Sequence, residues 1–174
     1  MTETIAGTPQ VDHFVHPAPR RAGALALIQS EEDGRFLVVR RGYRKGDAAW
    51  GLPGGSAAPN ELPRDALART LVEKLDLRVT GPSSRGAVGR WLASDHVPAA
   101  PGQFEGRNDV FHVSVWNRQF TLSGGYVESE WVNVLEAQAL LGGHSLRRFE
   151  ESVHALKNGT VRELVHGRKV EHAR

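Results

Sequence analysis

Trp50–Leu77, WGLPGGSAAPNELPRDALARTLVEKLDL, is the stretch on which the reading of this chain turns. It joins a Gly-rich turn, Leu52-Pro53-Gly54-Gly55, to a segment in which Leu67, Leu71 and Leu75, with Ala68 and Val72, recur at helical spacing. Asp65, Arg69, Glu73 and Asp76 fall on the opposite face, as on an ordinary surface helix. Arg69 and Glu73 stand four residues apart, and with Glu61 in the preceding loop they make a candidate ion-pair set. Glycines lack a Cβ and let a ligand approach the backbone closely, so a turn of this kind ahead of an acid-bearing helix suits phosphate chemistry.

The segment resembles the Nudix box of the Nudix hydrolase superfamily. That pattern runs Gly, five intervening residues, Glu, seven more, Arg-Glu, a bulky apolar residue, any residue, Glu-Glu, any residue, Gly and an apolar residue. Gly55, Glu61, Arg69, Leu71, Glu73 and Leu77 match it, whereas Thr70, Lys74 and Asp76 depart from it. The preceding Trp50-Gly51-Leu52-Pro53-Gly54-Gly55 is similar to the strand and turn that lead into the box. The resemblance covers roughly residues 22–158, with its specific motif in 50–77. It implies an α/β (α+β) fold, a Nudix-like α/β/α sandwich with a mixed central sheet. It also implies Mg²⁺-dependent cleavage of a diphosphate, with a backbone carbonyl of the turn, by position that of Gly54, reaching the metal.

A diphosphate reacts slowly with water because negative charges must pass one another, and bound Mg²⁺ offsets that charge and lowers the pKa of its water. Mg²⁺ prefers hard oxygen ligands set close together. Acids at helical positions i, i+3 and i+4 meet that need, and here those positions hold Thr70, Glu73 and Lys74. Their summed charge is zero (Glu −1, Lys +1), against −3 for three acids. Two unit charges about 4 Å apart interact by on the order of 4 kcal/mol at an effective dielectric of about 20, so an ammonium there strongly opposes a metal. Asp65 and Asp76 lie on the side of the helix away from Thr70 and would build a displaced site. Lys74 suggests another use of the pocket, since an ammonium can neutralise a phosphate oxygen but cannot ionise water as a metal does.

With 174 residues, 40% hydrophobic and 24% charged, the chain fits one globular domain. It has no Cys, which excludes disulfides and thiolate metal sites. The start lacks a basic segment followed by an apolar one, and no stretch has the length of a membrane span, so cytoplasmic residence without membrane contact is expected. A formal net charge of +2 is too small an excess to argue for nucleic acid as a partner. The one dense basic patch, Arg40, Arg41, Arg44 and Lys45, reads as a solvated strand end and loop, with attraction of phosphates toward the turn as the functional alternative.

Residues 1–20 are expected to form an N-terminal arm, 21–160 the domain and 161–174 a C-terminal tail. Ala22–Gln29 and Arg35–Arg41 read as strands joined through Glu31-Glu32-Asp33-Gly34. Leu77–Thr80 and Gly86–Ala93 read as extended, broken at Gly81-Pro82. Asp109–Arg118 alternates, with Val110, His112, Ser114 and Trp116 on one face and Phe111, Val113 and Val115 on the other. Glu128–Val132 is a further strand and Leu135–Leu141 a short helix ending at Gly142-Gly143. Ser145 is the expected cap of a last helix that runs to Asn158 and stops at Gly159.

Some Nudix enzymes recruit an acid from outside the box, and Glu105, Asp109, Glu128 and Glu130 are placed to serve, Glu128 first because it precedes the strand ending at Trp131. The eight His residues show no metal-binding spacing; His112, beside Trp116 on its strand, is the one that could reach a ligand, with a packed His as the plainer reading. Trp50 and Trp91 are candidates to stack on a base. The expected catalytic set is therefore Glu73, Arg69 and Glu128, and the expected ligand-binding set Gly54, Gly55, Lys74, Thr70, Trp50 and His112, with Glu73 as a weak Mg²⁺ ligand at most. These residues favour binding of a diphosphate-containing, nucleotide-type or other anionic metabolite, with hydrolysis weakened or lost. The alternative is an active hydrolase that cleaves a nucleoside diphosphate linked to another moiety, using Glu73 and a remote acid.

Overall fold

Ala24 to Ile28 and Phe36 to Val39 are uninterrupted apolar runs, which suits strands covered on both faces. The computed structural model describes residues 20–46, 49–79, 86–99 and 105–171. In chain order the elements are β1 (Arg20–Ser30), β2 (Phe36–Arg41), β3 (Trp50–Gly51), β4 (Gly54–Ser56), α1 (Pro63–Leu75), β5 (Gly86–Val97), β6 (Glu105–Val115), β7 (Tyr126–Val132), α2 (Val134–Leu140), α3 (Gly143–Asn158), β8 (Arg162–Val165) and β9 (Arg168–Lys169). The sheet order is β3-β2-β1-β6-β5-β8-β9, with β4 also paired to β1 and β7 to β2. The sheet is mixed, because β1 runs parallel to β6 and β5 parallel to β8.

Period-two alternation sends successive side chains of each strand into two different cores. Ala24, Ala26, Ile28, Phe111, Val113 and Val115 pack with Leu67, Leu71 and Leu75 of α1. Leu25, Leu27, Phe36, Val38 and Val110 pack with Phe149 and Val153 of α3 and Ala137 of α2. Phe36 and Phe149 meet edge to face at 5.6 Å between ring centroids. The expected α/β/α layering and mixed sheet are therefore present.

β1 and β2 pair only at Gln29 and Phe36, next to the turn where Gly34 takes a positive φ of 76°. Below that point they diverge, and β4 pairs along Gly23–Leu25 of β1 while β3 pairs with Val39 and Arg40 of β2. This fork places the Gly54-Gly55 turn between two strands that no longer bond to each other.

α1 begins with Pro63, whose ring presets a helical φ and whose missing N–H leaves one fewer orphan donor in the first turn. It ends at Asp76, in the left-handed region at φ 49° and ψ 34°, where the Asp76 N–H donates to the Val72 carbonyl and the Leu77 N–H to that of Leu71. The box pattern has Gly at this position, and Asp, like Asn, tolerates that conformation better than most residues. This departure from the box is thus a matter of helix termination.

Several expectations need correction. Leu77 to Val79 is not a strand: Leu77 and Val79 are buried against the α1 core without ladder partners, while Thr80 and Gly81-Pro82 lie outside the described residues. Val72 is exposed rather than part of the apolar stripe, and Thr70 is buried in its place. α3 starts at Gly143 with Gly142 as its N-cap, so Ser145 lies inside the first turn instead of capping it. The segment expected as a tail extends the sheet, because Leu164 is buried and β8 adds to β5 from Ala93 to His96. Of the expected arm, residues 1–19 lie outside the described residues and Arg20 already belongs to β1. No helix among the described residues is long and apolar enough to cross a membrane.

Candidate functional site

The fork between β1 and β2 opens a cleft of about 600 Å³. Gly54 and Gly55 of the turn, Gly23 of β1, Asn108 of β6, and Ser145 and Arg148 of α3 line it. Five cationic side chains line it, Arg21, Arg41, Arg44, Lys74 and Arg148, and among the described residues the lining contains no carboxylate. They arrive from four elements and one loop, so no run of sequence announces them together.

Lys74 is the best positioned of the five. Its Nζ donates to the Gly54 carbonyl at 2.9 Å and lies 5.1 Å from the centroid of the Tyr126 ring, within cation–π range. The Tyr126 hydroxyl donates to the same carbonyl at 2.9 Å and accepts from the Gly54 N–H at 2.9 Å. Gly124 lets the aliphatic stem pass, since a Cβ there would sit 2.7 Å from Lys74 Cγ. Burial lowers the Lys74 pKa, Arg41 adds to the effect and Glu73 opposes it. Tyr126 is pushed up, chiefly by burial, so its hydroxyl keeps its proton. A Cβ on Gly54 would collide with the Ala24 carbonyl oxygen and Leu25 Cα, which is why the turn needs glycine here.

Arg69 ties the acids of the box to one another. Its guanidinium donates to Glu61 at 2.9 and 3.0 Å, to Glu73 at 3.2 and 3.4 Å and to the Ser56 carbonyl at 3.1 Å. The fork of hydrogen bonds from Arg69, helped by the Ala58 N–H, lowers the Glu61 pKa to about 2. Because the folded value lies below the unfolded one, this stabilisation is complete above the ordinary carboxylate range and is lost as pH falls toward about 2. Glu61→Gln should therefore lower the melting temperature at about pH 6 and show a smaller difference from the parent at about pH 3. An equal difference at both pH values would contradict the ion-pair account.

Thr70 is buried under the turn, with its Oγ1 3.1 Å and Cγ2 3.0 Å from where a Gly55 Cβ would lie. The structure thus brings Gly54, Gly55, Lys74 and Thr70 together, with Glu73 and Arg69 on the neighbouring exposed face of α1. Three other candidates do not line the cleft. Glu128 faces Arg40 across β2 and β7 and pairs with it at 2.9 Å. Trp50 packs partly buried against the α3-side core. His112 shares a 2.9 Å hydrogen bond with Gln29, and burial lowers its pKa.

The other acids are engaged elsewhere: Glu105 with His96 at 2.6 Å and Arg20 at 3.4 Å, and Asp109 with Arg107 at 3.2 Å. Glu130 is exposed on β7 outside the cleft. Trp91 lies along a separate groove. Within the basic patch, Arg41 and Arg44 line the cleft, whereas Arg40 and Lys45 do not. Arg21, Asn108, Tyr126 and Arg148 carried no signal in the sequence reading; only the fork brings them to the turn.

The donor set does not fit Mg²⁺ at the helix. The turn carbonyl that a metal would use already accepts from Lys74, and Glu73 is shared with Arg69. Among the described residues no three His, Cys, Asp or Glu side chains are grouped to hold a metal. What the arrangement can do is neutralise several anionic oxygens against a glycine turn.

Comparison with known proteins agrees with the architecture. A 68-residue stretch is 38% identical to an RNA pyrophosphohydrolase of Halorhodospira halophila, covering 39% of this chain and 36% of that protein, so the match spans about a third of the relative's length. The structure superposes on a MutT protein from Methanosarcina mazei with a TM-score of 0.63 at 20% identity, over 82% of this chain and 97% of that one. It superposes on the Nudix domain of Shewanella oneidensis NrtR, solved with ADP ribose, with a TM-score of 0.62 at 16% identity, over 84% and 94% of the two chains. The family model for the NUDIX domain matches residues 19–152, the greater part of the sequence, and the chain belongs to the Nudix family.

Proposed function

We propose that this protein binds a diphosphate-containing, nucleotide-type or other anionic metabolite in the cleft at the β1–β2 fork, and that Mg²⁺-dependent hydrolysis is weakened or lost. The observation that carries the reading is the Lys74 ammonium seated on the Gly54 carbonyl, in a cleft lined by cations and, among the described residues, by no carboxylate. Lys74, Arg41 and Arg44 neutralise phosphate oxygens, Gly54 and Gly55 permit close approach, and Arg69 holds the turn to the helix through Ser56 and Glu61. The ADP ribose complex of the NrtR Nudix domain supports a nucleotide-type ligand.

A second reading, Nudix-type hydrolysis with Glu73 and an acid from elsewhere, is favoured by family membership and by the RNA pyrophosphohydrolase relative. The two are separated by a calorimetric screen over pyrophosphate, ADP, ADP-ribose, nucleoside triphosphates and nucleotide sugars, with release of the hydrolysis products (nucleoside monophosphate, sugar phosphate, pyrophosphate or phosphate) followed chromatographically in parallel. Saturable binding with no appreciable release supports the first reading. Brisk Mg²⁺-dependent release moves the assignment to the second.

A further inference from the structure

We infer that the cleft takes its polyphosphate ligand in the metal-free form, so that Mg²⁺ in solution opposes binding. The inference rests on the binding reading above and concerns which species of the ligand is recognised. In water a diphosphate or triphosphate is divided between the free polyanion and its Mg²⁺ complex, and a site can prefer either. A site built for the complex offers oxygen ligands to complete the coordination of the ion. This cleft offers cations: Lys74 at the turn, Arg41 and Arg44 beside it, and Arg21 and Arg148 along the far walls.

Among the described residues the nearby acids are committed elsewhere. Glu61 and Glu73 bond to Arg69 on the outer face of α1, and Asp95 is fully buried behind Arg148, which bonds to it at 2.9 and 2.5 Å. Lys74 is held in place by its bond to the Gly54 carbonyl, by the Tyr126 ring 5.1 Å from its ammonium and by Gly124 packed against its stem. An ion arriving with the ligand would meet a resident ammonium on the carbonyl it needs. The free polyanion meets compensating charge from Lys74, Arg41 and Arg44 around the turn. Lys74 thus serves as a built-in cation for the phosphates, and the recognised class is a di- or triphosphate group, or a bisphosphate of similar span, stripped of metal.

The test is calorimetric titration of the whole protein with inorganic pyrophosphate and with ADP, first in EDTA and then with Mg²⁺, the ionic strength being matched with NaCl so that screening is the same in both. When Mg²⁺ complexes about nine-tenths of the probe, the apparent Kd should rise about tenfold, in proportion to the free fraction that remains. In EDTA, Lys74→Met and the exposed-site variant Arg44→Met should each weaken binding about tenfold or more while retaining a cooperative melt. Binding that is strengthened by Mg²⁺, or unchanged by it, would overturn the inference while leaving the binding reading in place. Failure of both probes to bind in either buffer would overturn the binding reading itself.

Discussion

Replacing Thr70 and Lys74 together by glutamate is expected to raise Mg²⁺ affinity by at least about 100-fold. The change removes one positive charge and adds two negative ones within reach of the Gly54-Gly55 turn. A unit pair about 4 Å apart contributes on the order of 4 kcal/mol at an effective dielectric of about 20, so even heavily screened the sum exceeds the roughly 2.7 kcal/mol that 100-fold requires. The geometry favours it: Thr70 Oγ1 lies 3.1 Å from the Gly55 Cβ position, and removal of Lys74 frees the Gly54 carbonyl. Thr70 is buried, so the larger side chain should cost about 1–3 kcal/mol of stability, to be recovered in part when metal binds. Titration calorimetry and the Mg²⁺ dependence of the melting temperature read both effects. A well-folded double variant that binds Mg²⁺ no better than the parent would show that these two residues do not exclude the metal.

Arg148→Met is expected to destabilise the fold by about 3–5 kcal/mol, the range for leaving a buried charge without its partner. Asp95 is fully buried on β5; its Oδ2 accepts both hydrogen bonds from Arg148 on α3, and its Oδ1 accepts from the Gly167 N–H at 2.8 Å. One carboxylate therefore joins β5, α3 and the β8–β9 turn. Without the guanidinium, a single backbone N–H remains to compensate the charge. Adding Asp95→Asn should recover a substantial part of the loss, because a neutral amide is far less costly to bury. Denaturant unfolding of parent, single and double variants measures this directly. A loss below about 1 kcal/mol in the single variant would mean that Arg148 serves the cleft alone and leaves the fold nearly untouched.

The fold was legible where local chemistry and tertiary environment agree. Leu52-Pro53-Gly54-Gly55 and the leucines of α1 marked the turn and helix, and the apolar runs of β1 and β2 suited strands buried on both faces. β8 escaped because four residues, Arg162 to Val165, are too few to show a period; their strand character comes from β5 at their side. Leu77 and Val79 misled for the opposite reason, since their alternation reflects packing on α1 without ladder bonding.

The site was legible in part. The charge reversal at Lys74 stands within the box, and so was visible from the resemblance to the family pattern. Its partners were not, because Tyr126 lies 72 residues from Gly54 in sequence and Arg148 lies 53 from Asp95. Trp50 stands just before the turn and Glu128 and His112 on strands, but the faces they occupy turn Glu128 toward Arg40, Trp50 toward the α3-side core and His112 toward Gln29. Asp76 shows how a departure from a motif can be purely conformational, whereas Lys74 changes the charge that a ligand meets.

The most direct test of the central claim, that an ammonium holds the place of a divalent ion, is anomalous scattering from crystals of the parent protein equilibrated with Mn²⁺ as a stand-in for Mg²⁺. The account predicts no anomalous peak between Glu73 and the Gly54 carbonyl, with Lys74 Nζ still bonded to that oxygen. A full-occupancy peak there, with Lys74 displaced, would contradict it.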